Sequence, residues 1–194
     1  MSRLLVVLLL LLPLHSALGA HEASTLERTA RSVVALHDTI DAEDSYCTAF
    51  AIGDHQFLSA AHCIGALMVA DGVQATVVKQ DNVRDLALIT AALERPALTL
   101  RNKSVHLYEE MTGLGFAFDM PFLSAIGVVV LVKESAPKNS DIYPGVWYSG
   151  VFLNGMSGGP IVDKDGQVVG VVQRAGVGTS YGVSVKTIKE FLAR

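Results

Sequence analysis

Gly155-Met156-Ser157-Gly158-Gly159-Pro160 runs directly into the apolar pair Ile161-Val162. A serine hydroxyl attacks carbonyl carbon poorly unless a base takes its proton and donors hold the oxyanion that forms. Glycines on both sides let the chain turn sharply and aim bare N–H groups inward. The stretch therefore has the makings of a nucleophile turn ahead of a strand. Whether it is one depends on partners elsewhere in the chain.

Gly-x-Ser-x-Gly by itself fits two orders of residues. In an α/β-hydrolase elbow, the acid and the histidine follow the serine. The histidines of this chain stand at 15, 21, 37, 55, 62 and 106, all before Ser157, which excludes that order. A subtilisin order needs the acid ahead of the base, so the order left is His, Asp, Ser. His37 and His55 read as surface residues, and His106 stands beyond a change in sequence character near Pro96 to Lys103. His62 differs, because Leu58-Ser59-Ala60-Ala61-His62-Cys63 puts it at a strand end among small residues. A base needs that kind of fixed position. For the acid, Asp85 opens the apolar run Leu86-Ala87-Leu88-Ile89, where a carboxylate held at the core edge can orient an imidazole. A plain turn residue is the alternative reading of Asp85. Asp54, Asp71 and Asp81 lie in more polar, turn-like settings.

Working outward, short segments rich in Val, Ile and aromatics alternate with turn residues. Strands are expected near 32–37, 46–52, 56–59, 73–79, 85–90, 125–132, 145–152, 159–162, 167–173 and 180–185. Asp165-Gly166 predicts a hairpin turn between Val162 and Val168. Helix signals are sparse: Ser24-Thr25-Leu26-Glu27 fits a capping box. Ser184 can cap a helix whose Val185, Ile188, Phe191 and Leu192 share a face. This pattern predicts an all-β sandwich or barrel rather than βα units. The polar stretch 134–141 reads as a surface loop.

The chain has 194 residues and a net charge of −4. Arg3, an apolar run from Leu4 to Leu12 and small residues up to Ala20 form a secretory signal pattern over residues 1–20. That run is shorter than the ~20 residues a membrane helix needs. Export to the periplasm or the outside, with no membrane role after signal removal, is the expectation. Mild acidity with scattered basic residues provides no footprint for nucleic acid. Acidic residues gather at Asp38, Asp41, Glu43 and Asp44, most simply a solvated loop. In an exported chain, Cys47 and Cys63 favour a disulfide, with separate buried thiols as the alternative. They are too few to satisfy zinc without a His cluster. No metal or cofactor is expected.

Leu58-Ser59-Ala60-Ala61-His62-Cys63, Asp85-Leu86-Ala87-Leu88 and Gly155 to Pro160 together resemble the three signature blocks of the chymotrypsin/trypsin-like serine peptidases. In style the chain is similar to short secreted bacterial and Deg-type protease domains that lack a PDZ domain. The resemblance spans nearly the whole mature chain. It implies two six-stranded antiparallel β-barrels with the site between them and a short C-terminal helix. The lobes would cover residues 21–100 and 101–194, forming one stand-alone peptidase domain. It further implies His62 as general base, Asp85 as orienting acid and Ser157 as nucleophile. Gly155 and Ser157 N–H groups would form the oxyanion hole, and a Cys47–Cys63 bridge would lie beside the base. The substrate would be a polypeptide.

Departures refine these expectations. Met156 stands where many members carry an aspartate that accepts a newly cut N-terminus, so no such activation is expected. Only 23 positions separate His62 from Asp85, which implies trimmed loops in the first barrel. Val151, six before the serine, would set the base of the specificity pocket and favour a small or medium apolar residue before the cut. Gln173, Arg174, Ala175 and Gly182 would line the walls, and an inward-facing Arg174 would instead favour an acidic residue. Gln173 replaces the family's usual serine behind the acid. A non-catalytic binding or chaperone-like module on the same fold is the alternative function, and an esterase is a third.

Overall fold

The computed structural model describes residues 25–39, 46–117, 122–133, 145–174 and 178–194. The signal pattern, Ser24, most of the acidic loop, residues 134–141 and Ala175 lie outside them.

Two closed antiparallel barrels of six strands each organise the described chain. The first comprises β1 (Val33–His37), β2 (Cys47–Gly53), β3 (Gln56–Ser59), β4 (Val69–Ala70), β5 (Val73–Asp81) and β6 (Leu86–Ala91), in the order β1-β2-β3-β6-β5-β4. The second comprises β7 (Glu110–Phe116), β8 (Phe122–Lys133), β9 (Gly145–Tyr148), β10 (Pro160–Val162), β11 (Val168–Arg174) and β12 (Ser180–Ser184), in the order β10-β11-β12-β9-β8-β7. The two-barrel architecture implied by the resemblance is thus present. Residues 92–109 connect the barrels and touch both. Leu98 N donates to Ala51 O of β2, and Arg101 N to Val168 O of β11, each at 2.9 Å.

The alternation of side chains along strands builds three apolar clusters. Val34, Ala49, Phe57 and Ile89 fill the first barrel. Met111, Val129, Tyr148, Ile161 and Val172 fill the second. The residues one step out of phase, Phe50, Leu58, Leu86 and Leu88, meet Leu114, Val171, Val183 and Ile188 between the barrels. A strand with period 2 buries both faces only when something covers the outer one. Each barrel is that cover for the other. The terminal helix Val185–Leu192 adds to this seam. It is capped as expected by Ser184, whose Oγ accepts from Thr187 N at 3.4 Å, and it buries Val185, Ile188 and Phe191. Lys79 of β5 donates to the Phe191 carbonyl and lies over its ring, tying the first barrel to the helix.

Two strands differ from the expectation. β4, with only two residues, offers too short a pattern to read. β7 contains Gly113 and Gly115, residues that read as turn signals in a sequence. A Cβ on Gly113 would lie 2.2 Å from the Phe152 ring, and one on Gly115 would lie 2.9 Å from Thr48 Oγ1. These glycines mark close approach rather than a bend. The hairpin at Asp165-Gly166 forms, with Gly166 alone taking a positive φ of 76°. Asp163 Oδ1 closes it by accepting from Asp165 N and Gln167 N.

Candidate active site

His62 lies in a 3-10 turn, Ala61–Cys63, that follows β3. Three independent ties hold this turn. Cys63 is bonded to Cys47 of β2 with Cα atoms 5.9 Å apart. Tyr46 Oη donates to Cys63 O at 3.0 Å, and Gln80 Nε2 donates to Ala61 O at 3.2 Å. A disulfide closing so short a loop contributes about 3 kcal/mol, chiefly by restricting the unfolded chain. Both sulfurs are consumed in that bond. Although they lie within 4.8 Å of a His62 ring nitrogen, they have no thiolate to offer a metal.

Asp85 is presented by a turn that Asp81 builds. Asp81 Oδ1 accepts from Val83 N and Arg84 N at 3.0 Å each, and Oδ2 pairs with Arg84 Nη1 at 2.7 Å. Partial burial alone would raise the Asp81 carboxyl, but the bonds from Arg84 and Val83 hold it below the usual carboxylate range. The turn delivers Asp85 with a left-handed φ of 54°, a conformation Asp tolerates better than most residues. Its two oxygens then grip the histidine twice. Oδ2 meets His62 Nδ1 at 2.7 Å, and Oδ1 accepts His62 N at 2.8 Å. The side-on pair orients the ring and leaves Nε2 as the nitrogen able to accept a proton. Asp81 was missed as a functional residue. The signal was its position three before Arg84, an Asx-turn spacing.

On the second barrel, Gly155 and Gly158 take φ of 96° and 85°. A Cβ on Gly158 would stand 2.2 Å from Thr48 O, so the serine turn rests directly on β2 of the first barrel. Ser157 O accepts from Thr48 N at 2.8 Å and lies 3.6 Å from Cys63 Sγ. The histidine turn and the serine turn therefore abut. Within the turn, Met156 N donates to Leu153 O, Gly158 N to Val172 O and Gly159 N to Met156 O. Among the described residues, the Gly155 and Ser157 amides have no such acceptor. Met156 is buried, and its Sδ accepts from Leu153 N at 3.4 Å. A thioether thus closes the turn internally.

Gln173 connects the two halves of the site. Its Nε2 donates to Arg84 O at 3.0 Å and to Asp85 O at 3.3 Å, while its own carbonyl accepts the Ser157 hydroxyl at 3.2 Å. Its side chain supports the backbone of Asp85 from behind. Val151 is 60% exposed, and the next residue, Phe152, turns into the core. Gly182 faces the barrel interior, because a Cβ there would meet Ile161 Cδ1 at 2.4 Å. Arg174 is exposed on β11 opposite Tyr181 of β12. Ala175 lies outside the described residues.

Comparison with known proteins places this geometry. Residues 47–171 match the family model of the trypsin-like peptidase domain. Serine protease HTRA4 of Mus musculus is 32% identical over 127 residues, covering 61% of this chain and 26% of that protein. Serine protease HTR4 of Bos taurus is 29% identical over 196 residues, covering 88% of this chain and 40% of its own length. The chain thus spans well under half of these relatives. Among solved structures, Rv3671c protease from M. tuberculosis in its active form superimposes with a TM-score of 0.73 at 22% identity. The match covers 87% of this chain and 82% of that one. The serine endoprotease from Yersinia pestis gives 0.75 at 16% identity, covering 89% and 65%. At such identities these two speak for the fold. The chain belongs to the trypsin-like peptidase domain family.

Proposed function

We propose that this chain is an exported serine endopeptidase in which His62, Asp85 and Ser157 form the catalytic triad. The observation that carries the reading is the double grip of Asp85 on His62, through ring and backbone, beside the abutting serine turn. In the cycle, the Ser157 hydroxyl leaves the Gln173 carbonyl for His62 Nε2 and attacks a substrate carbonyl as the imidazole takes its proton. The free Gly155 and Ser157 amides receive the oxyanion. His62 then hands the proton to the leaving amine, and an activated water releases the acyl group. Polypeptides are the substrates, cut in the periplasm or outside the cell. The apolar side chains of Val151 and Leu153, both exposed just before the serine turn, support a small or medium apolar residue before the scissile bond. The thioether closure by Met156 supports a turn that is formed without a cleaved N-terminus.

The hydroxyl's bond to Gln173 O favours a second reading, a binding module that keeps the fold without turnover. A fluorophosphonate probe and labelled casein separate the two. The peptidase reading expects labelling and cleavage by the mature protein, both abolished in Ser157→Ala. A folded wild type that takes no probe would establish the binding module instead.

A further inference from the structure

β2 alternates strictly: Cys47, Ala49 and Ala51 point into the first barrel, and Phe50 points into the seam between barrels. Thr48 shares the outward face with Phe50 and is fully buried. A hydroxyl in that position must find partners, and it finds them on the other barrel. Thr48 Oγ1 donates to Gly155 O at 2.8 Å and accepts from Phe116 N at 3.0 Å. Its backbone is equally engaged, with N donating to Ser157 O and O accepting from Ser59 Oγ, each at 2.8 Å.

The geometry points to Thr48 as a positioning residue that sets the oxyanion donors of the Ser157 turn. This rests on the endopeptidase reading above. Gly155 has a left-handed φ and no side chain, so the peptide units on either side of it rotate at little cost. A rotation there would swing the Gly155 N–H away from the place where the oxyanion develops. Two bonds fix the units that follow the two donors, so each donor peptide is set against a held neighbour. Thr48 Oγ1 holds the carbonyl of the Gly155–Met156 unit, and Thr48 N holds the carbonyl of the Ser157–Gly158 unit. Phe116 N, by occupying the hydroxyl's lone pair, directs its proton toward Gly155 O. Only the hydroxyl depends on the side chain, so substitution by valine removes its bonds to Gly155 O and Phe116 N and leaves the backbone bond to Ser157 O.

Donors aimed at the oxyanion act in the transition state and not on bound substrate. The test is kcat and KM for labelled casein in Thr48→Val and Thr48→Ser, with folding followed by circular dichroism. Thr48→Val, which keeps the shape, is expected to lower kcat about tenfold or more while KM stays within about twofold. Thr48→Ser, which restores the hydroxyl, is expected to recover kcat to within about threefold of wild type. A folded Thr48→Val with wild-type kcat overturns the assignment. So does a Thr48→Ser that loses as much kcat as the valine variant, or loses kcat tenfold when the valine variant does not fold. A wild type that neither takes the fluorophosphonate probe nor cleaves casein would sink the endopeptidase reading itself, a distinguishable result.

Discussion

The two halves of the candidate site are held in different ways. On the first barrel, the histidine turn is pinned by a covalent bond to β2 and by side chains from its own barrel, Tyr46, Gln80 and Asp85. On the second barrel, the serine turn has no covalent tie. It is shaped by left-handed glycines, closed by Met156 Sδ, and pressed against β2 so closely that Gly158 has no room for a Cβ. The histidine side is held within its own barrel, whereas the serine side is held because the barrels are docked. On the proposed function, activity depends on the seam as much as on His62, Asp85 and Ser157.

The sharpest break of this contrast is Asp85→Asn. It keeps the size of the side chain but offers His62 Nδ1 a weaker and wrongly matched partner, so kcat is expected to fall on the order of 10⁴-fold, as tautomer control is lost. Steady-state cleavage of casein measures it, and a loss under tenfold would show that the backbone grip alone orients the ring. The next largest effect is on stability. Replacing Cys47 and Cys63 together by serine is expected to cost about 3 kcal/mol. Hydrogen exchange locates the damage. Faster exchange in β2 and β3, with β9–β12 little changed, agrees with a local pin, while uniform acceleration would show that both barrels open as one unit.

The smallest expected effect tests the connector. Arg101, buried between the barrel and the connecting segment, pairs with Glu109 through both nitrogens, with Nη2 to Oε2 at 3.1 Å and Nη1 to Oε1 at 2.5 Å. Partial burial alone would raise the Glu109 carboxyl, but the bonds from Arg101 and His106 N hold it below its ordinary range. A carboxylate lowered in the folded state adds stability above its unfolded pKa and loses it as pH falls through the folded one. Glu109→Gln is therefore expected to cost about 1 kcal/mol at neutral pH and progressively less in acid. Thermal unfolding of both proteins across the acid range checks this. Parallel curves would mean that Glu109 does not titrate with folding.

Part of the site was legible in the chain itself. Small residues around His62, an apolar run after Asp85 and glycines around Ser157 are local patterns, and their order along the chain excluded the α/β-hydrolase arrangement. Ser184 as a cap and Asp165-Gly166 as a turn were legible for the same reason, since capping and turn chemistry act over a few residues. The specificity positions were not. Val151 was placed by its distance from the serine and Gly182 by the resemblance, whereas the exposure of the first and the inward aim of the second, against Ile161, come only with the folded barrel.

The sequence by itself determined the triad candidates, the β-rich composition and the helix at the end, and it favoured a disulfide between the two cysteines. Only the tertiary structure decided the rest. Gln173 reaches Asp85 across 88 positions, and Thr48 reaches Gly155 across 107. Gly113 and Gly115 belong to a strand because Phe152 and Thr48 occupy the space their side chains would need. The physical reason is range. Local patterns record what a residue does to its immediate backbone, whereas the Ser157 turn is shaped by groups that meet it only once the two barrels have docked.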